Sequence, residues 1–223
     1  MTDAQNPLSE RQLEQLHTVI DQAAERASSA LTMWIGRPSM IRVESLDQLS
    51  LNEATAVLGE SEDPVCFCAM AVTGWLTGQL ILTFDDASGL ALANLVLHGS
   101  AGDSAESDTA ERDWGEVEQS AAMETANILG CAFLNALAGH SKEFIETDGG
   151  LIPSPPCFNR DFAESLLQFA LMGQAAEHSM VFLTQTRFEV SDAPLNLTLL
   201  FVPDGPSLAT LHRVLPAAVG GDS

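Results

Sequence analysis

The sequence DWGEVEQSAAMETANILGCAFLNALAG, from Asp113 to Gly139, has the strongest helical pattern in the chain. It contains no proline, and Asp113 and Glu116 have the D-x-x-E spacing of a capping box. Glycine is common just after the last residue of a helix, so Gly139 predicts the C-terminus. The stretch therefore predicts one long helix with both of its ends specified.

Side chains of this predicted helix divide into two faces at about 100° per residue. Asparagine disfavours a helix interior by about 0.5 kcal/mol relative to alanine, so Asn127 indicates a role other than helix formation. One face is a polar ridge of Ser120, Glu124, Asn127 and Cys131. The opposite face is apolar and predicts contact with a core through Ala122, Ala126, Leu129, Ala132, Phe133, Ala136 and Leu137.

The segment SAAMETANILGCAFLNAL resembles the signature helix of the CheC and CheX family of chemotaxis phosphatases. In that signature, Asp or Ser is followed four residues later by Glu, then three residues later by Asn, and then by Ile-Leu and small residues. Ser120, Glu124 and Asn127 match it position by position. The family pattern also has a proline downstream, for which Pro153 is the candidate. The flanking residues match as well as the E-x-x-N pair.

Length and composition predict a folded protein. The chain has 223 residues, of which 46% are hydrophobic, enough for one large domain or two small ones with a packed core. No run approaches the ~20 apolar residues that span a bilayer, and the polar, acidic N-terminus lacks a signal-peptide pattern. We therefore predict a cytoplasmic protein without a membrane partner.

The charge of the chain restricts its partners. A net charge of −22, from 31 acidic and 9 basic residues, argues against nucleic acid or an anionic membrane. A protein partner with a basic patch is compatible with this charge, and so is acidity that serves only solubility in a saline cytoplasm. No metal site is predicted, because the cysteines have no C-x-x-C spacing and are interpreted as reduced, buried or half-buried thiols: Cys66, Cys68, Cys131 and Cys157.

The predicted elements repeat along the chain. Residues 9–98 and 113–215 predict the same series of long helix, strand, short helix, hairpin and helix, joined by an acidic linker at 99–112. We predict a single α+β domain over residues 1–223, with a mixed or antiparallel sheet flanked by helices and the two long helices exposed side by side. CheC-like proteins have this pseudo-twofold arrangement. The predicted helices are 9–36, 49–58, 86–97, 113–139, 158–169 and 206–215, and the strands are 40–46, 65–72, 78–84, 141–147, 179–190 and 195–202.

The first long helix lacks the motif. In fuller members of the family each half carries an E-x-x-N pair. An ungapped alignment puts Thr18 and Asp21 at the Glu and Asn positions, whereas alignment on the terminal glycines puts Asp21 and Ala24 there. Neither gives the pair, so we predict one active centre in the second half and a degenerate first site at Thr18 and Asp21.

The resemblance implies a phosphatase that hydrolyses the phosphoaspartate of a CheY-type receiver in chemotaxis or related two-component signalling. It implies that Asn127 orients the attacking water, that Glu124 pairs with a receiver lysine, and that Ser120 supports the ridge. The chain then needs no cofactor of its own, because the receiver supplies Mg²⁺. A CheD-like protein is a second candidate partner.

Two alternatives remain at this level. One is a non-catalytic module that binds a receiver or the flagellar switch, since motor proteins of the FliM type are understood to share this fold. The other is a ridge that packs against another subunit, with a coincidental motif. Fold alone does not choose between catalysis and binding.

Overall fold

The computed structural model describes residues 8–50, 53, 64–98, 114–141, 150–162, 165, 180–191 and 195–214. The helices of these residues are α1 (Glu10–Ile35), α2 (Asp86–His98), α3 (Glu116–Ser141) and α4 (Gly205–Val214). The strands are β1 (Ser39–Ser50), β2 (Pro64–Thr73), β3 (Gly78–Phe84), β4 (Ile152–Pro153), β5 (Cys157–Phe162), β6 (Met180–Val190) and β7 (Leu197–Pro203).

All of these strands form one antiparallel sheet. The order is β1-β6-β7-β3-β2, and both β4 and β5 pair with the outer side of β2. With β5 placed beside β2, the order is β1-β6-β7-β3-β2-β5. If β1, β2 and β3 are exchanged for β5, β6 and β7, the same order is obtained when it is read from the other edge of the sheet, as expected of a duplicated unit. The predicted α+β fold with a pseudo-twofold sheet flanked by helices is therefore confirmed.

Two buried serines repeat the same contact in the two halves. The hydroxyl of Ser88, in α2, accepts a hydrogen bond from the backbone N–H of Asn196 at 2.8 Å, just before β7. The hydroxyl of Ser207, in α4, accepts one from the backbone N–H of Thr77 at 2.6 Å, just before β3. α2 and α4 are thus each bonded to the hairpin of the other half, and these bonds join the halves into one body.

The two long helices pack side by side, as predicted. Ser9 and Gln12 make both hydrogen bonds of a capping box at the start of α1, which ends at Gly36 with a left-handed φ of 68°. The indole N–H of Trp34, in α1, donates a hydrogen bond to the hydroxyl of Thr125, in α3, at 3.0 Å.

Buried residues lie on both faces of the sheet. Successive residues of a strand point to opposite faces, so Cys66, Cys68 and Met70 of β2 join the core beneath the long helices. Phe67 lies between them in sequence and belongs to a separate buried cluster. That second cluster comprises Phe67, Ile81, Leu183, Leu200 and Val202.

The ends of α3 differ from the prediction. The helix begins at Glu116 and continues to Ser141, so the predicted start at 113 and the predicted C-terminus at Gly139 were wrong, whereas Asp113 of the predicted capping box lies outside the described residues. Trp114 accounts for the later start, because its ring packs against Phe84 and Phe158 with centroids 5.7 Å and 4.9 Å away. Long-range packing of this ring outweighs the local helical pattern at Trp114 and Gly115.

Strand pairing replaces parts of both predicted short helices. Cys157–Phe162 forms β5 and pairs with Pro64–Ala69 of β2, so the predicted helix at 158–169 was wrong in its first turns. β1 continues to Ser50 against β6, into the start of the predicted helix at 49–58. In both cases pairing with a neighbouring strand outweighs the local helical pattern, since strand propensity depends on tertiary context.

Several predictions fall on residues outside the described ranges. They are the acidic linker 99–112, most of the predicted helices 49–58 and 158–169, and the predicted strand 141–147 beyond Ser141. Ser141 itself ends α3. The division of the chain into halves at the linker therefore stays a prediction.

α3 is both long and apolar. Its segment Glu116–Gly139 is long and apolar enough by composition to cross a membrane, a possibility that the run-length criterion had excluded. Within its most apolar window, 50% is buried inside the protein. One such helix is weak evidence for a membrane span, because a core helix of a soluble protein has the same composition.

Candidate active site

The polar ridge predicted on α3 lies at the protein surface. Ser120 and Glu124 are exposed, and Asn127 and Cys131 are half-buried. The ridge faces outward because the opposite side of the helix packs into the core. Of the predicted core residues, Ala122, Ala126, Leu129, Phe133 and Leu137 are buried, and Ala132 and Ala136 are half-buried.

A groove separates this ridge from the segment Pro153–Pro156. We call its two sides the helix wall and the proline wall. Pro153, the proline that the sequence associates with the motif, therefore lies at the site. The lining residues are Ser120, Met123, Glu124, Asn127 and Cys131 in the helix wall and Pro153, Ser154, Pro155 and Pro156 in the proline wall.

Hydrogen bonds to β2 fix the proline wall. The backbone N–H of Ser154 donates to the carbonyl of Ala71 at 2.8 Å, and its hydroxyl accepts from the N–H of Ala71 at 3.0 Å. Pro155 and Pro156 have no N–H to continue the ladder, and their rings restrict φ. The wall is therefore a stiff edge of the sheet opposite α3.

Asn127 presents a primary amide to this groove. Its carbonyl oxygen accepts a hydrogen bond from the thiol of Cys131, with Sγ and Oδ1 3.7 Å apart. Burial and the charge of Glu124 raise the pKa of the Cys131 thiol, so the thiol stays protonated and can donate at neutral pH. Among the described residues, neither N–H group of the Asn127 amide has a partner, so both can bind a water molecule or a ligand.

The remaining cysteines are Cys66, Cys68 and Cys157, which differ in burial. Burial, together with a hydrogen bond to Asp86, raises the pKa of Cys66, and burial raises the pKa of Cys68 to about 12. All of the cysteines are free, and Cys157 is exposed on the edge strand β5, contrary to the prediction that all were at least half-buried. Within the described ranges, no group of three or more His, Cys, Asp or Glu residues is placed to hold a metal ion.

The two long helices correspond by a shift of 106 residues, which carries Glu10 to Glu116 and Ile35 to Ser141. The alignment on terminal glycines does not fit, because it would put the buried Ala24 at the Asn position. The shift also matches burial, since it carries the buried Leu16, Ile20, Ala23, Ala24, Ala27 and Leu31 onto the buried Ala122, Ala126, Leu129, Gly130, Phe133 and Leu137.

Thr18 and Asp21 occupy the motif positions of α1 under this shift. Both are exposed, but their side chains bond within their own helix. The Thr18 hydroxyl donates to the carbonyl of Glu14 at 3.0 Å, and the Asp21 carboxylate lies 2.9 Å from Nδ1 of His17. No side-chain amide stands in the place of Asn127, so the geometry of the second half is not reproduced in the first.

One functional candidate was missed by sequence reasoning. Asp85 caps α2 by accepting a hydrogen bond from the N–H of Ser88 at 2.6 Å, which leaves its neighbour Asp86 for another role. Burial raises the pKa of the Asp86 carboxyl, but hydrogen bonds from Arg160, Trp114 and Cys66, with the charge of Arg160, hold the pKa below its ordinary value. The sequence signal for Asp86 was the pair of adjacent aspartates, because the N-terminus of a helix needs only one capping side chain.

Comparisons with known proteins agree with this architecture. No protein-family model matches the chain. It is 26% identical over 220 residues to the CheY-P phosphatase CheC of Bacillus subtilis (strain 168), covering 96% of this chain and 98% of that protein. It is similar to FliY of Thermotoga maritima with a TM-score of 0.67 at 16% identity, covering 93% of this chain and 98% of that one. The chain has the CheC/CheX/FliY family fold.

Two further solved structures have this CheC-like fold. One is the CheX-CheY-BeF₃-Mg²⁺ complex of Borrelia burgdorferi, with a TM-score of 0.50 at 14% identity, covering 83% of this chain and 96% of that one. The other is the FliG-FliM complex of H. pylori, with a TM-score of 0.60 at 13% identity, covering 91% and 100%. These comparisons confirm the resemblance inferred from the motif helix, and they show that the chain has the predicted fold.

Proposed function

We propose that this protein is a phosphatase that hydrolyses the phosphoaspartate of a CheY-type receiver domain. The observation that carries the proposal is the pair Glu124 and Asn127, one turn apart on the outward side of α3 and lining one open groove. The similarity over nearly the whole chain to a protein named as a CheY-P phosphatase supports it.

Asn127 would act by holding water. An acyl phosphate is hydrolysed when a water oxygen bonds to phosphorus while the bond from phosphorus to the aspartate oxygen breaks, leaving a carboxylate and inorganic phosphate. The proton of the water passes to the phosphate or to solvent. The amide of Asn127 can orient that water in line, as water-positioning residues do in other phosphoryl transfers. No nucleophile of this chain takes part.

Glu124 would dock the receiver. Its exposed carboxylate lies one turn from Asn127, so a lysine at the receiver's phosphorylation site could pair with it while the amide holds water. Such a charge-assisted contact gives specificity when water is excluded around it. Ser120, one turn earlier on the same wall, would contribute a hydroxyl at the rim of the contact.

The receiver would supply the Mg²⁺ that neutralises the phosphoryl group, so the chain would need no cofactor of its own. Such receivers are cytoplasmic, and we propose the same location for this protein. A CheD-like protein remains a candidate second partner.

A non-catalytic binding module is the second candidate function. The absence of the motif from α1, together with the similarity to FliY and to a FliG-FliM complex, favours it. In that case, the groove would bind a receiver or a switch protein without changing the lifetime of the phosphoaspartate.

Phosphate release decides between these two functions. Each receiver of the source organism is phosphorylated with a small phosphodonor in the presence of Mg²⁺ and then mixed with the purified protein. We expect faster loss of phosphate from at least one receiver, with turnover at substoichiometric protein. Binding to a beryllofluoride-treated receiver without any change in phosphoaspartate lifetime would support the binding module and refute the phosphatase.

The first helix is expected to contribute little to turnover. Replacing Thr18 and Asp21 together with alanine should leave the rate within about twofold of wild type, because neither side chain offers an amide and both are exposed. The same phosphate-release assay measures this, with the melting temperature as the check on folding. A large loss of turnover in a folded double variant would show that the first half holds a working site of another kind.

A further inference from the structure

Asp86, the first residue of α2, does not line the groove, yet its carboxylate contacts the segments that hold both walls. Oδ1 accepts a hydrogen bond from Nε1 of Trp114 at 2.9 Å, and Trp114 lies two residues before α3 begins. Arg160 binds both carboxylate oxygens, with Nη2 2.7 Å from Oδ2 and Nε 3.1 Å from Oδ1. Arg160 lies in β5, four residues after Pro156.

The helix side of this connection is rigid. Trp114 packs between Phe84 and Phe158, and the side-chain amide of Gln119, in the first turn of α3, donates to the Trp114 carbonyl at 2.9 Å. Gly89 of α2 makes room for the ring, since a Cβ there would lie 2.5 Å from the indole. Motion of Trp114 would therefore move the start of the helix wall.

The proline side is equally constrained. Arg160 pairs with Cys66 across β5 and β2, and the thiol of Cys66 donates to Oδ1 of Asp86 at 3.1 Å. A two-point contact between a guanidinium and a carboxylate fixes direction as well as distance. β5 follows directly after the proline wall, so this contact fixes the position of the C-terminal end of that wall.

We propose that Asp86 is a positioning residue that holds the helix wall and the proline wall at the separation the reaction needs. This inference rests on the proposed phosphatase function. Ser120 lies about 6 Å along the helix from Glu116, the first residue of α3, at ~1.5 Å per residue, so a small rotation of the start of the helix at Trp114 displaces the whole ridge. A shift of about 1 Å in a positioning group can slow a reaction by about 10².

The test compares turnover with docking. Asp86→Asn keeps the shape of the side chain but turns its second oxygen into a donor that faces the donor Nη2 of Arg160. We expect kcat to fall about tenfold, while affinity for a beryllofluoride-treated receiver changes less than about threefold. Asp86→Glu should restore part of kcat, and Trp114→Phe, which keeps a stacked ring but loses the N–H, should lower kcat about threefold.

Glu44→Gln is the matched control. Glu44 makes a comparable ion pair with Arg187, with Nε 2.6 Å from Oε1 and with similar exposure of the carboxylate, 33% against 36% for Asp86. This pair joins β1 to β6, at the end of the sheet away from the proline wall. Its loss should leave kcat unchanged. Equal losses of kcat in Glu44→Gln and Asp86→Asn, or an unchanged kcat in Asp86→Asn, would overturn the proposal while leaving the phosphatase function intact.

Hydrogen exchange gives a readout that needs no receiver. Asp86→Asn should speed amide exchange both in the first turns of α3 and at Ser154, whose N–H bonds to β2, but not in the pair β1 and β6. Faster exchange in only one wall would refute the coupling. If the wild-type protein dephosphorylates no receiver, the proposed function fails, and exchange alone then decides whether Asp86 couples the walls.

Discussion

Replacing Asn127 with alanine is expected to slow hydrolysis of the receiver phosphoaspartate on the order of 10² or more, with docking nearly unchanged. Water bound by the Asn127 amide is placed for attack before the reaction begins, and alanine leaves it free to adopt many orientations. The carboxylate of Glu124 would still make the docking contact. The expected signature is therefore a fall in kcat, with little change in affinity for a beryllofluoride-treated receiver.

Folding should not obscure this result. Asn127 is half-buried, and its described contact is with the thiol of Cys131 in the next turn. Alanine is the better helix former by about 0.5 kcal/mol, so the melting temperature should be maintained. Asn135→Ala is the matched control, because Asn135 is an exposed asparagine on the same helix that does not line this groove. A wild-type rate in Asn127→Ala would eliminate the water-positioning role and favour the binding module.

Reversing the charge of Glu124 is expected to weaken the receiver complex by more than about tenfold. Glu124→Ala removes a charge pair with the receiver lysine, and Glu124→Lys adds repulsion between like charges, so the loss of affinity should be larger for lysine. Because Glu124 is exposed, neither variant should lose much folding stability. Titration of each variant with a beryllofluoride-treated receiver measures the affinity directly.

Net charge needs its own control, because the chain carries −22 before any change. Glu189→Lys makes the same change of two charge units on β6, where the exposed Glu189 makes a loose contact of 3.8 Å with Arg42. If both lysine variants changed affinity equally, the effect would come from the overall field of the protein and not from a contact at Glu124. Raising the ionic strength should reduce such a general effect more than a close, partly desolvated pair.

Local patterns in the sequence were sufficient for much of the site. The helix predicted at 9–36 corresponds to α1, and helical periodicity predicted which side of α3 faces outward with Glu124 and Asn127. These features depend on residues within one or two turns of each other, whose geometry is the same in any helix. The repeated order of elements also predicted the pseudo-twofold sheet, since each half must bury the same kind of apolar face.

The tertiary structure alone decided what stands opposite that ridge. Nothing in the local sequence shows that Ser154 bonds to Ala71, that Trp114 delays the start of α3, or that Asp86 joins Trp114 to Arg160. These contacts connect residues between 28 and 83 positions apart. Their geometry depends on how the whole sheet assembles, and a neighbouring strand can outweigh the local preference of a segment, as β5 does at 157–162. The identity of the groove's helix wall is thus a property of the sequence, whereas its second wall and the spacing between the walls exist only once the chain has folded, because long-range packing creates them.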